Sequence, residues 1–333
     1  MKVLHMTEPE HKGGIYMYTQ DLIQGIGDRA ESLISPFWST IPDGYNIVNW
    51  QHAYGYANDI NSFIKKLREL TIPYIVTFHE IPTWNRPIWE PKIFCPIIVG
   101  NKMMKDKLIE LGVKEDMVNV IPHGATMWVS YSKEEARSKL SFNTDKKILI
   151  QPGFMSYGKG MLELIEACAE IPEIYLVFAG SIHPNAPKMD TNNLIGCMKL
   201  AKSYGMENRV KFVGRYLSED EMHLWCSAAD YLILNHQNVY GALSSSAMSK
   251  RILCAERPII MSEDVRLSEY EDGKDCLKVT STDINMIRKT IRTLVGDDNL
   301  CCRLGAAALN YADEISWYNM ATKHLELYNQ CLS

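Results

Sequence analysis

Short, uninterrupted apolar runs recur along the chain, and amphipathic segments of helical spacing stand between them. That alternation is the pattern of parallel strands covered by helices. Strands are predicted at 2–6, 32–37, 47–50, 74–78, 96–99 and 118–121, with helices at 15–26, 60–70 and 102–111. A second series follows, with strands at 147–151, 175–179, 210–213, 231–234, 258–261 and 276–279. Its helices are predicted at 161–169, 193–204, 219–228, 245–255, 284–295 and 300–311. Each series makes a doubly wound α/β domain of its own. The polar, charged stretch 130–146 separates them, giving a first domain over 1–140 and a second over 141–312. The segment 313–333 carries a last helix, 317–332, that can return to the first domain. Ligands of such sheets bind beyond the carboxyl ends of the strands, so two domains facing each other are expected to hold a ligand in the cleft they share.

Length agrees with two domains, since 333 residues fall at ~150 per domain. Hydrophobic residues make up 46% of the chain, enough for two cores, and 23% charged residues is usual for a soluble globular protein. The net charge of −5 argues against nonspecific nucleic-acid binding. No stretch approaches the ~20 apolar residues of a membrane span. The start, Met1-Lys2-Val3-Leu4-His5-Met6-Thr7-Glu8, turns polar too early for a secretory signal, so a cytoplasmic protein is expected. Seven of the nine cysteines are scattered, Cys301 and Cys302 are adjacent, and no C-x-x-C occurs. They read as reduced residues packed as small apolar groups.

Candidate chemistry concentrates at Gly153-Phe154-Met155-Ser156-Tyr157-Gly158-Lys159-Gly160, between a predicted strand and a predicted helix. Glycines let backbone N–H groups approach an anion, a helix N-terminus favours negative charge, and Lys159 adds a full charge. The arrangement suits a diphosphate and points to an enzyme that handles a nucleotide diphosphate. Gly13 and Gly14 offer a similar approach at the start of the first helix, without the G-x-G-x-x-G spacing of a nicotinamide site. His79 ends a predicted strand. A neutral imidazole there can hydrogen-bond a sugar hydroxyl or orient an acceptor, and a satisfied structural histidine is the competing reading.

In order along the chain stand Gly13-Gly14, Thr77-Phe78-His79-Glu80, Val120-Ile121-Pro122-His123-Gly124 and Gly153 through Lys159-Gly160. Phe178-Ala179-Gly180, Val210-Lys211-Phe212-Val213-Gly214, Ala228-Ala229-Asp230, Gly241 through Met248, and Arg257-Pro258-Ile259-Ile260 follow. Each motif is weak alone. Together, over nearly the whole chain, they resemble the retaining glycosyltransferases of family 4. The resemblance implies the GT-B fold of two Rossmann-like domains, with a nucleotide-sugar donor on the second and an acceptor on the first. It implies transfer of a hexose to a hydroxyl with retention of configuration. Lys159 would face the leaving diphosphate, His79 the transferred sugar, and Gly13 and Gly14 the distal phosphate and acceptor side. His123 would organise the turn at the domain junction. GDP-mannose is slightly favoured as donor and a UDP-hexose comes next. The acceptor is open among glycan, lipid-linked and small-molecule hydroxyls.

The chain also departs from that family. An arginine expected just after the first glycine of the loop, or two residues later, is replaced by Phe154 and Ser156, and Arg215 is a candidate substitute. The paired glutamates of the family are replaced by Asn238 and Ser246. A carboxylate accepts two ribose hydroxyls, whereas serine offers one small neutral group. Asn238 remains a candidate for the sugar. Gly241, Ala242, Leu243, Ser244, Ser245 and Ser246 are candidates for cradling the diphosphate at a helix start, against a serine-rich cap with no ligand. Glu263 is a candidate for ribose, against a solvated loop acid. No D-x-D occurs, so a helix dipole and Lys159 are expected to act without a metal or other cofactor. Trp84, Arg86, Trp89 and Phe94, and the basic stretch 60–68, are candidates for sugar stacking or peripheral lipid contact, against ordinary packing. A non-catalytic relative that binds a nucleotide or glycan stays open as the alternative, and the oligomeric state is not legible.

Overall fold

The apolar runs become two six-stranded sheets, each parallel throughout. The computed structural model describes residues 1–7, 14–36, 41–52, 65, 68–82, 95–129, 131–142, 144–237, 239 and 241–333. Gly13, Asn238, most of the predicted helix 60–70, and the loop bearing Trp84, Arg86, Trp89 and Phe94 lie outside the described residues. By contact the chain forms two units. One comprises Met1–Thr126, Tyr240–Ala247 and Glu314–Ser333; the other comprises Met127–Val239 and Met248–Asp313.

The sheet of the first unit contains β1 (Lys2–Thr7), β2 (Glu31–Pro36), β3 (Ile47–His52), β4 (Tyr74–Phe78), β6 (Ile97–Val99) and β7 (Val118–Val120), in the order β2-β1-β3-β4-β6-β7. Val3, Leu4, Ile47, Val48, Ile75, Val76, Ile97 and Val99 are fully buried, as expected for strands covered on both faces. The same strands bury polar groups that hydropathy does not foresee. Thr77 Oγ1 donates to Asn49 Oδ1 at 2.8 Å, and Asn49 Nδ2 donates to the Tyr328 hydroxyl at 2.6 Å. Tyr328 Oη lies 3.3 Å from His324 Nδ1, and His324 Nε2 lies 3.1 Å from Tyr18 Oη. This chain of bonds ties the sheet to the helices Gly14–Ile26 and Trp317–Leu332, leaving none of these buried groups without a partner. The last helix is also fixed at its start, where Ala125 N donates to Ile315 O at 2.8 Å and Trp317 N donates to Ala125 O at 3.2 Å.

A further pair of strands belongs to this unit, β5 (Glu80–Pro82) and β12 (Ala242–Ser244), which run antiparallel. Their pairing keeps the chain extended through Ser244, so the helix predicted from 245 begins at Ala247 and ends at Arg251, with a 3₁₀ turn, Leu253–Ala255, after it. Asn101 reinforces this edge. Its Oδ1 caps the helix Lys102–Glu110 by accepting from Met104 N, while its Nδ2 donates to Ser244 O at 3.0 Å.

The sheet of the second unit contains β8 (Lys147–Pro152), β9 (Ile174–Ala179), β10 (Val210–Phe212), β11 (Tyr231–Leu234), β13 (Ile259–Ser262) and β14 (Leu277–Val279), in the order β10-β9-β8-β11-β13-β14. Leu149, Leu164, Ile165, Leu176, Ile233, Ile291 and Leu304 pack into its core. The stretch predicted as a polar linker contains a helix, Lys133–Lys139. Asp230, with its side chain 5% exposed, anchors that helix through Lys133 and Arg137 and accepts from Ile148 N at 2.7 Å. Strand order reverses between β8 and β11, so the loops after these two strands leave on opposite sides and open a crevice at their carboxyl ends.

Candidate functional site

Lys159 occupies that switch point. After β8 the chain turns at Gly153, and Gly180 makes the turn fit, because a Cβ there would stand 2.1 Å from Gly153 O. A 3₁₀ turn, Tyr157–Lys159, leads to Gly160 and into the helix Met161–Ala169. Gly160 is left-handed at φ +58, and a Cβ on it would lie 2.2 Å from Asn235 Nδ2. The left-handed backbone favours glycine, and the close approach requires it. The loop is stitched to its neighbours: Gln151 Nε2 donates to Lys159 O at 2.6 Å, Asn235 Nδ2 to Gly160 O at 3.2 Å, and Gln237 N to Gly158 O at 2.9 Å. Four of its amides are already committed, with Gly153 N bonded to Ala179 O, Met155 N to Ser181 O, Tyr157 N to Asp190 Oδ1 and Lys159 N to Ser156 O. The contribution of Gly153 is therefore conformational, and the charged group this loop carries is the lysine.

The ammonium of Lys159 meets an imidazole rather than a carboxylate. Lys159 Nζ lies 2.7 Å from His236 Nε2, in the loop that follows β11. His236 is buried, and Ser262 Oγ donates to its carbonyl oxygen at 2.7 Å. Burial, then the charges of Lys159 and Arg266, hold the His236 pKa well below its usual value, so the ring is neutral and accepts from the lysine. Its Nδ1 is buried without a hydrogen-bond partner among the described residues. Burial, then the nearby charge of Arg266, pull the Lys159 pKa down to about 7, and Asp264 opposes them. Arg266 follows β13 and is gripped by Asp264, with Nε to Oδ1 at 2.7 Å and Nη2 to Oδ2 at 3.0 Å. Two cations, one carboxylate and a neutral imidazole thus converge at the carboxyl ends of β8, β11 and β13. Such a cluster attracts a polyanion.

Sequence reasoning singled out Lys159 and gave no role to His236, Asp264 or Arg266. The rule that drew attention to His79, a polar residue just past the end of a strand, applies equally to them. Arg215 turns elsewhere, since its guanidinium pairs with Glu221 at 2.6 Å on an exposed surface. Glu263 is exposed and accepts from Thr280 Oγ1 at 3.1 Å. Gly14 is exposed, with open space where a Cβ would stand.

Gly241, Ala242, Leu243, Ser244, Ser245 and Ser246 belong by contact to the first unit. There Ser245 lines a small pocket of about 30 Å³ with Tyr18, Thr77, His79, Gly100 and His123. That volume admits a water or one hydroxyl-bearing arm of a larger ligand. His79 Nε2 is 2.8 Å from Gln51 Oε1, which accepts from it, and burial lowers the His79 pKa to about 3. The ring is neutral at physiological pH. Tyr18 stands edge-on to His79 at 4.7 Å, to His123 at 5.0 Å and to Trp317 at 5.0 Å. His123 is 8% exposed, with Nδ1 3.0 Å from Gly124 O.

Residues 132–311 match the family described as Glycosyl transferases group 1. The chain is 24% identical over 229 residues to a D-inositol 3-phosphate glycosyltransferase of Corynebacterium efficiens, a match covering 65% of this chain and 51% of that one. It is 27% identical over 178 residues to an uncharacterized glycosyltransferase of Methanocaldococcus jannaschii, covering 50% and 42%. The chain thus spans about half the length of the curated relatives it matches. Among solved structures, a sucrose-phosphate synthase of Thermosynechococcus elongatus superposes with a TM-score of 0.78 at 16% identity, covering 99% of this chain and 98% of that one. The Anabaena HepE protein in complex with UDP-glucose gives a TM-score of 0.79 at 14% identity, covering 99% and 100%. At such identities the likeness shows the fold, that of the GT-B glycosyltransferases.

Proposed function

This chain belongs to the group 1 glycosyl transferases, and from that premise we propose that it moves a hexose from a nucleotide-sugar donor to an acceptor hydroxyl, retaining the anomeric configuration and using no metal ion. The observation that carries this reading is Lys159 at the switch point of the second sheet, with its ammonium held by neutral His236 and, among the described residues, without a carboxylate of its own. Cleavage of a nucleotide sugar releases a diphosphate, and the charge that grows on it is what Lys159 stabilises. His79, neutral and oriented by Gln51, serves the sugar or the acceptor by hydrogen bonding. The donor is GDP-mannose or a UDP-hexose, and the UDP-glucose bound by the Anabaena fold-mate supports including the uridine donors. The acceptor is a glycan, a lipid-linked sugar or a small molecule.

Calorimetric titration with GDP, UDP, GDP-mannose and UDP-glucose, without metal, tests the reading. Binding of one nucleotide family, lost in Lys159→Ala, is the expected result. With a donor in hand, Lys159→Ala should lower kcat/KM by ~10²-fold or more, and a value within about threefold of wild type would refute the assignment. Turnover should persist in EDTA; its loss, with recovery on adding Mn²⁺, would overturn metal independence. Binding without transfer across a broad acceptor panel would favour the non-catalytic alternative, which the uncharged Phe154, Ser156 and Ser246 motivate.

A further inference from the structure

The loop that presents Lys159 carries no second cation, because Phe154 and Ser156 stand where the resembled family places arginine. Phe154 instead packs its ring edge-on against His183 at 4.9 Å. A leaving nucleoside diphosphate carries more charge than one lysine neutralises, so a charge is missing from this loop. We propose that Arg266 supplies it, binding the diphosphate of the donor beside Lys159 from the turn after β13. The proposal rests on the nucleotide-sugar reading above and assigns a second residue to the same site.

Three observations converge on Arg266. Its guanidinium is fixed before any ligand arrives. Asp264 caps the 3₁₀ turn Val265–Leu267 by accepting from Arg266 N at 2.9 Å, and both of its carboxylate oxygens hold the Nε–Nη2 edge. Nη2 also donates to Gln237 O at 3.0 Å, in the loop that carries His236. The remaining nitrogen, Nη1, has no hydrogen-bond partner among the described residues, and the side chain is 20% exposed. One edge of the fork is thus clamped and the other is left to give, as suits an oxygen of a phosphate. Lys159 in turn bonds a neutral ring, so the two cations share one carboxylate. Holding like charges within each other's field is unfavourable in the empty protein. A bound dianion relieves that repulsion, and the free protein is arranged for it.

The competing account makes Arg266 a cross-link whose sole role is to satisfy buried Asp264, and binding separates the two. Affinities of the full chain for UDP, UMP, GDP and GMP would be measured by calorimetry, without metal, for wild type, Lys159→Ala, Arg266→Gln and Arg266→Lys. Loss of a charged hydrogen bond to the diphosphate should weaken the bound nucleoside diphosphate about tenfold or more in Arg266→Gln, while the matching monophosphate changes by less than about threefold. Arg266→Lys, which keeps the charge and loses the fork, should fall between wild type and Arg266→Gln. Diphosphate affinity equal to wild type in both Arg266 variants, with Lys159→Ala still defective, would overturn the inference and leave the donor reading standing. Should Arg266→Gln fail to fold, wild-type affinity in Arg266→Lys alone would overturn it. Failure of wild type to bind any of the four nucleotides would end both.

Discussion

A lysine beside a neutral imidazole behaves differently from one beside a carboxylate. With its pKa near 7, Lys159 is about half charged at neutral pH in the free protein. A bound diphosphate favours the ammonium and raises that pKa, so binding draws in a proton over the interval between the free and bound values. Affinity for the nucleoside diphosphate should therefore weaken as pH rises from 7 to 9, by up to about tenfold per unit. Calorimetry of the wild type in buffers of differing ionisation enthalpy should show proton uptake that is largest between the free and bound pKa values of Lys159. A dissociation constant flat across that range would show that the lysine does not titrate with binding. Lys159 was legible because a glycine turn, a lysine and a helix start are adjacent in sequence. His236 and Arg266 were not, since they reach Lys159 through the order β8-β11-β13. No local pattern encodes which strands are neighbours.

Strands and helices were legible where burial is continuous. The run Tyr231–Leu234 was read to the residue, as was the helix Met161–Ala169. The three-residue strands β5 and β12 escaped because their signal is a pairing across 160 or so residues rather than a periodicity. The same limitation hid the buried polar chain from Thr77 to Tyr18, in which each group looks unfavourable until its partner is known. Tyr328 is the hinge of that chain. Tyr328→Phe removes the hydroxyl that accepts from Asn49 and bonds His324, leaving two buried groups without this partner. Stability should fall by about 1–3 kcal/mol, read as a lower midpoint of urea unfolding. An unchanged midpoint would mean the bonds contribute nothing net.

For the whole chain, pH enters through histidines kept neutral by burial. His5 and His324 are each 0% exposed, and burial takes both from the usual 6.5 to about 3. Between those values the unfolded chain binds protons that the folded chain refuses. Stability from this source is intact above pH 6.5 and is lost as pH falls toward 3, by up to about 1.4 kcal/mol per unit for each histidine. Urea midpoints measured from pH 7 to pH 4.5 should drop accordingly, and less steeply in His324→Gln. A midpoint independent of pH would contradict the burial argument. The first unit is also discontinuous, and its segment Glu314–Ser333 brings Trp317, His324 and Tyr328 into the interior. During synthesis the ribosome delivers that segment after every strand of the other unit. The earliest-made sheet must therefore wait, with Asn49 unpartnered by Tyr328, while the unit made later is free to mature. Completion of the first unit thus comes last in synthesis, against the usual N-to-C order of domain folding.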